Sequence, residues 1–573
     1  MERRLCLFIL CILLGLLALP LAAQPTAVVN VASFANPSLP NGAVAQGSMF
    51  TVFGSNIGPA TLVQVDEFPL PPQLGGTSIK VTVGGTTVDA IMIFSAAGQV
   101  GAVLPSNTPL GTGTLTLTYN GQAGAPIPIT VVAHSFGTFG INQAGSGPAV
   151  LTNALDPFSV NSVFNSALPG EQWDIWGTGV GAVAGDEAAM PLPGDLPYNV
   201  QVLVGATAAQ VLYRGRSGCC VGVDQIRFVV PAGTTGCYVP ITVTVEGVVS
   251  NFTTMAINPT SGPCSDPASG LTPAVLSQAQ SNGALRVGTI DGSRTRTSFA
   301  LPAGIAGQSF TSVSDSLSAA FESFTLAQVQ SQTGFLNVST VGACTVYQFR
   351  DSTGDEIQDP VAGMALDAGT LTLTGPEGSR VITRDADGFY YEMLSSGFSF
   401  LRAITSGLRA ASSGKDAGFK GQFDSTGYYQ PGTHTVTGTG GAVVGPFTTT
   451  FNVGSALTWT NPTTSISRSS PFTVQWQGGS GDRVVMFGFS AYDFDDDEGS
   501  GAAFWCLANR AAGSFTIPQA VLGSLPPPEL IESIPAGAFG VGSQSLQSAT
   551  IPGMDLGFSE FTDLSFQFGI NYP

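Results

Sequence analysis

The sequence predicts an all-β chain: two tandem β-sandwiches followed by a β-rich C-terminal region of one or two domains. Three observations carry this. Ser78–Val83, Thr114–Tyr119 and Ile241–Val245 alternate with a period of two and end at Gly84-Gly85, Asn120-Gly121 and Glu246-Gly247. Such alternation, closed by a two-residue turn of this kind, marks a β-hairpin. The 73 glycines and 38 prolines, about a fifth of the 573 residues, suit many short strands joined by tight turns. Helical periodicity is scarce, and Ser314–Val329 is the best candidate for a helix.

The N-terminus reads as an export signal. Arg3 and Arg4 precede an apolar run from Leu5 to Leu19, broken by Pro20 and followed by Leu21-Ala22-Ala23. Charge, a short apolar core and a small-residue exit define a signal peptide, and cleavage is expected after Ala23. Cys6 and Cys11 lie inside the apolar run and no cysteine follows the small residues, so lipoprotein processing is not expected. With no later long apolar segment, no membrane span is expected after signal removal.

Charged residues make up only 10% of the chain and the net charge is −19. The surface must therefore be built mostly from Ser, Thr, Gly, Asn and Gln. A lysine-poor, negative surface repels phosphate backbones and anionic lipid, so nucleic acid is not expected as a partner.

An internal repeat divides the N-terminal half. Gln46-Gly47-Ser48-Met49-Phe50-Thr51-Val52-Phe53-Gly54 matches Pro169-Gly170-Glu171-Gln172-Trp173-Asp174-Ile175-Trp176-Gly177, 123 residues downstream. Further on, Val83-Gly84 pairs with Val204-Gly205, Leu104-Pro105 with Val230-Pro231, and Ile127–Val131 with Val239–Val243. Two copies of one β-domain are expected over 24–141 and 142–260. Their length is that of an immunoglobulin-like sandwich.

The pattern GSMFTVFGSNIGP, followed by a TVGG hairpin, a VLP strand end and a closing strand pair, resembles the IPT/TIG group of immunoglobulin-like domains. The stretch from Val211 to Phe252 is more closely similar to a secreted immunoglobulin-like repeat family of soil acidobacteria. A looser likeness continues downstream in LTWTN and RAAGSFTIP. Repeat 1 departs from the pattern: Gly98-Gln99-Val100 stands where repeat 2 has its cysteines and Asp224-Gln225. The resemblance implies extracellular or surface placement and domains that act as spacers or interaction modules. It carries over no catalytic residue.

Six cysteines remain after signal removal, and an even number in an exported chain argues for disulfides. Cys237 precedes one strand of repeat 2 and Cys264 follows its return strand, so both should reach the same pole and pair. Cys219 and Cys220 are expected to form a strained vicinal bond. Bonding either to Cys237 instead would require the intervening strand to fold back. That leaves Cys344 with Cys506. Zinc is disfavoured because no CxxC pair exists and only two histidines occur.

A Pro-, Ser- and Gly-rich linker, 261–270, leads to a β-rich domain expected over 271–455 and a C-terminal sandwich-like domain over 456–573. Hairpin turns are expected at Pro376–Gly378 and Ala386–Gly388. Phe472–Trp476 and Arg483–Ser490 are expected to pair.

His134 and His434 lie far apart, are expected in loops, and neither accompanies a GxSxG elbow. HExxH is absent. Ser412-Ser413-Gly414-Lys415 meets SxxK only formally, in a Gly/Ser-rich stretch. No pair of acids stands out for glycoside hydrolysis. Asp493, Asp495 and Asp497 alternate in an acidic loop and form the one candidate metal site, a weak calcium loop. Its glycine falls one place late for an EF-hand, and Phe504 stands where a closing glutamate belongs. No other cofactor is expected. Trp173 and Trp176 replace Phe50 and Phe53 of repeat 1 and are expected to pack in the core.

The sequence thus points to a secreted, periplasmic or surface-associated non-enzymatic protein. Its repeats would space or present a region for adhesion or for binding an extracellular glycan or protein. The alternative is a secreted hydrolase with a β-rich catalytic region after residue 271. The oligomeric state is open.

Overall fold

The computed structural model describes residues 22–266, 269–300, 309–331, 340–349, 363–395, 427–494, 499–531 and 533–573. The apolar signal-like run and the Ser412–Lys415 tetrad lie outside them. The first strand, Gln24–Asn30, begins at the residue expected to follow cleavage.

Repeat 1 is a two-sheet sandwich. Gln24–Asn30, Met49–Ser55, Gln99–Val103, Ile91–Ser95 and Val63–Gln64 form one sheet; Val44–Ala45, Ile127–Val132, Gly111–Tyr119, Thr77–Val83 and Gln73–Leu74 form the spine of the other. Val44–Ala45 runs parallel to Ile127–Val132. The inward residues of the alternating strands, Phe50, Val52, Ile79, Val81, Leu115 and Leu117, make the core. The turns follow the local chemistry. Asn120 and Gly121 have φ of 48° and 76°, and Glu246 and Gly247 of 47° and 87°. Positive φ at both central positions is what a type I′ hairpin turn requires.

Repeat 2 repeats the plan with one change. Thr207–Arg216 pairs along its first part with Val200–Val204 and along its second with Asp224–Val229. Its register shifts between Val211 and Tyr213, and such a bulge lets one strand pass between two sheets. The repeat alignment holds in three dimensions. Phe50 and Trp173 are buried, whereas Phe53 and Trp176 are half-buried. Trp176 donates its ring N–H to the Thr152 hydroxyl at 2.9 Å.

The C-terminal body is one long sheet under two short ones. Ala284–Ala300 pairs antiparallel with Ser309–Thr325 and parallel with Leu556–Phe568. Gly537–Ser548, Arg483–Phe494, Gly499–Asn509 and Ala343–Phe349 continue the sheet. The expected division at 455 therefore does not separate two folds, because the long sheet draws strands from both sides of it. One face carries Ile290, Leu317, Phe321 and Phe561, which pack against the sheet built from Leu371–Gly375, Gly378–Ile382, Gly432–Gly438 and Phe447–Val453. Phe539, Val541, Val484 and Met486, further along that face, meet the three-stranded sheet Leu457–Trp459, Phe472–Gly478 and Ser514–Ile517. The opposite face carries Leu285, Val287, Leu556 and Phe558, covered by the helix Pro273–Asn282 through Leu276 and Ala279.

The helix expected over Ser314–Val329 does not form along most of its length. The chain is strand through Thr325 and turns helical only over Leu326–Ser331. Continuous pairing of Ser309–Thr325 with Ala284–Ala300 outweighs a weak local helical preference.

All three bodies share apolar clusters. Leu39 of repeat 1 and Val249 and Phe252 of repeat 2 lie in one cluster with Cys344, Val346, Trp476 and Ala502. Cys237, Tyr238 and Cys264 of repeat 2 pack with Leu276, Leu285 and Phe324.

Candidate functional site

The joint between the repeats is a polar wall closed by one arginine. Arg216, at the end of the strand that crosses between sheets, is 2% exposed. Its guanidinium donates to Asp224 at 2.5 Å, to the Gly47 carbonyl of repeat 1 at 2.6 Å and to the Gly181 carbonyl at 2.8 Å. Asp224 also accepts the backbone N–H groups of Gly179 and Val180, each at 2.7 Å. Burial pushes the Asp224 carboxyl above its usual range, while Arg216 and these N–H groups oppose the shift. Glu187 accepts the N–H of Ser106 from repeat 1 at 2.7 Å. Asn30 donates to the Ser135 carbonyl at 3.0 Å and across the joint to the Thr178 carbonyl at 3.2 Å, and the Met49 N–H donates to the Thr178 hydroxyl at 2.8 Å. Arg216 Nε and Glu187 Oε1 have no hydrogen-bond partner among the described residues, but the bonds that are made favour one orientation, because rotation would break those to Gly47, Ser106 and Thr178 inside the wall.

Asp224 has no counterpart in repeat 1, where Gly98 stands. The asymmetry noted in the sequence is thus the joint's own residue, and only the fold shows why it is there.

A second cluster lies on the long sheet, on the face that carries the helix. Asp291 and Glu560 are direct partners in the parallel pair. Their side chains share a hydrogen bond. Burial raises both carboxyls, and the Asp291 charge raises Glu560 further, against the opposing field of Arg483. Gln544 is 5% exposed and places its amide nitrogen 3.4 Å from Glu560. The two carboxylates hold one proton between them, as close like charges must. Sequence reasoning had no means of choosing this pair.

The other face buries a cation and its partner. Arg294 grips Asp315 through two bonds of 2.8 and 2.7 Å, and Asp315 accepts the Tyr429 N–H at 2.8 Å. His434, expected in a loop, is a fully buried residue of the strand Gly432–Gly438. Its ring stacks on Phe451 at 5.5 Å, and its Nε2 has no partner. Burial lowers its pKa. His134 lies beside the joint, with Nδ1 2.7 Å from the Val180 carbonyl and its ring edge-on to Tyr198.

The cysteines fall into two kinds. Cys237 is bonded to Cys264 with Cα atoms 5.3 Å apart, and Cys344 to Cys506 at 4.0 Å. Cys344 and Cys506 face each other across paired strands, a register that distant sequence positions do not disclose. The expected Cys219–Cys220 bond is absent: both thiols are free and exposed. The Arg216–Asp224 pair closes the base of the loop that carries them.

Asp493 lies at the end of a strand and is exposed, whereas Asp495 and Asp497 lie outside the described residues. Among the described residues no group of three or more His, Cys, Asp or Glu side chains is placed to hold a metal. No described helix is long and apolar enough to cross a membrane.

A cavity of about 80 Å³ sits where the three bodies meet, lined by Asn41, Ser146, Asn251, Phe252, Tyr347 and Gln348 among others. At the rim of repeat 2, Leu155 and Phe158 are 92% and 94% exposed. Asn153 and Asp156 fix this loop by accepting the N–H groups of Leu155 and Phe158 at 2.9 and 3.3 Å.

No protein-family model matches the chain. No curated protein matches it either. Solved structures give partial alignments at low identity. Domains 5–6 of the S-layer protein SbsC align at 13% identity over 42% of this chain and 99% of that one, with a TM-score of 0.16. A tetra-tandem repeat from the extending region of a large adhesion protein aligns at 12% identity over 91% and 95%, with a TM-score of 0.12. The plexin A4 extracellular region aligns at 14% identity over 40% of this chain, which spans 17% of that chain, with a TM-score of 0.13.

Proposed function

We propose that this chain is an exported, non-enzymatic surface or matrix protein. Its two immunoglobulin-like repeats act as a rigid spacer that presents binding surfaces for adhesion or for an extracellular glycan or protein. The observation that carries this reading is the Arg216 joint. A catalytic protein with loose accessory repeats has no need of a buried guanidinium shared between them, whereas a spacer must keep its two modules in one orientation. The apolar clusters that tie both repeats to the C-terminal body support the same reading. The buried, bonded cysteine pairs fit an oxidising compartment.

The hydrolase alternative has one observation in its favour, the Asp291–Glu560 pair. A hydrogen-bonded pair is closer than the roughly 5 Å that retaining glycosidases keep between their carboxyls, and inverting enzymes keep them further apart still. The pair therefore fits the storage of a proton better than attack on a sugar.

The test is an array of glycans and matrix proteins probed with the whole chain, run beside a broad glycosidase and protease screen. Saturable binding without turnover is expected. Turnover that disappears in Glu560→Gln would overturn the reading.

A further inference from the structure

The loop between the strands Thr207–Arg216 and Asp224–Val229 is fixed at both ends and open only at its tip. Arg216 and Ser217 are buried on one side, and Val221 and Gly222 on the other. Val221 packs with Leu70, Ile91 and Val103 of repeat 1. The Gly222 carbonyl accepts the Thr178 hydroxyl at 2.6 Å. Between these anchors only Gly218, Cys219 and Cys220 are exposed. The two thiols are hydrogen-bonded to each other. The Ser217 hydroxyl lies 3.2 Å from the Cys219 sulfur.

We propose that Cys219 and Cys220 form a surface thiol–disulfide exchange site, which cycles between the dithiol and a vicinal disulfide by reaction with small-molecule disulfides. Cys219 loses its proton to water, and its thiolate attacks one sulfur of the external disulfide. That S–S bond breaks, and the first thiolate leaves and takes a proton. Cys220 then loses its proton and attacks the Cys219 sulfur, which expels the second thiolate. Two protein thiols are oxidised and one external disulfide is reduced to two thiols, so no other oxidant is needed. Cys219 is the attacking sulfur because the neighbouring Ser217 hydroxyl can stabilise its thiolate. Although the residue is exposed, partial desolvation of its sulfur and the neighbouring Cys219 hold the Cys220 thiol up at about 12.

The product is easily reversed. Adjacent Cα atoms are about 3.8 Å apart across a trans peptide, short of the roughly 4.4 Å at which unstrained disulfides begin. A strained and exposed bond is the reducible kind. The Cys237–Cys264 and Cys344–Cys506 disulfides differ in being buried, out of reach of an external thiol.

The experiment incubates the whole chain with oxidised glutathione, quenches with acid, alkylates and maps the tryptic peptide Ser217–Arg227. That peptide should become lighter by two hydrogen atoms and refuse the alkylating agent, and reduced glutathione should restore it. Cys220→Ser should trap glutathione on Cys219, about tenfold faster than Cys219→Ser traps it on Cys220. A peptide that stays doubly alkylated under conditions that load the Cys220→Ser variant would overturn the proposal. So would recovery of these cysteines only in bonds between two chains.

Discussion

Arg216 and Asp224 lie eight residues apart, at the two ends of one exposed loop, and meet at 2.5 Å inside the wall between the repeats. One ion pair thus closes the loop and joins two domains, since the same guanidinium also reaches the Gly47 carbonyl.

Replacing Asp224 by Asn keeps the shape and leaves buried Arg216 with only the more distant Glu187 carboxylate, 3.9 Å away, as counter-charge. Breaking a buried pair from one side costs about 3 kcal/mol or more. Urea denaturation should register that loss, and small-angle scattering should show a broadened distribution of repeat orientations. An unchanged scattering profile together with unchanged stability would mean that the joint does not hold the repeats.

Gly47 has φ of 69°, and a Cβ there would lie 2.1 Å from the Arg216 guanidinium. Both the backbone and the contact therefore oppose any side chain. Gly47→Ala is expected to cost about 3 kcal/mol. Combined with Asp224→Asn, it should cost less than the sum of the two, because both act on Arg216.

The Asp291–Glu560 pair sets the alkaline side of the stability profile. Burial and the Asp291 charge raise Glu560 from 4.5 to about 8. The folded chain keeps a proton that the unfolded chain has released, so stability falls as pH rises from about 4.5 to about 8 and is level above that. After discounting for partial hydration, the loss between pH 5.5 and 8 should be about 2 kcal/mol. Glu560→Gln should flatten that limb and stabilise the protein at pH 8, as thermal melts across the range would report.

His434 sets the acid side. Burial lowers its pKa from 6.5, so the unfolded chain takes up a proton that the folded one refuses. Its own contribution to stability is therefore lost as pH drops below about 6.5, against the gain that protonating the Asp291–Glu560 pair brings over the same range. His434→Met removes both the titration and the unpartnered Nε2. It should change stability at pH 7 by no more than about 1 kcal/mol, and the acid limb should become shallower. A steeper acid limb in the variant would show that another group governs it.

Part of this molecule could be read directly. The alternating strands and the Asn120-Gly121 and Glu246-Gly247 turns are local properties, written in a side-chain period of two and a backbone preference for positive φ. The repeat, too, was visible, because equivalent core positions select equivalent residues, as Phe50 and Trp173 show. The candidate sites were largely not visible. Asp291 and Glu560 are 269 residues apart, and nothing local in either strand marks the other as its parallel partner. Ser314–Thr325 read weakly as helix because its preference is settled by the strand beside it. Cys219 and Cys220 read as a bond because a pair of neighbouring cysteines looks like one. The loop anchored by Arg216 and Asp224 instead presents two separate thiols.

The sequence by itself determined the all-β class, the two copies of a sandwich and the acidic, lysine-poor surface, because each follows from composition or short-range period. Only the tertiary structure decided that the region after 271 shares one long sheet, that Arg216 locks repeat 2 onto repeat 1, and which two carboxylates must share a proton. Those outcomes depend on which strands become neighbours. Strand pairing is fixed by the burial of whole faces against one another, and no local stretch of sequence contains that information.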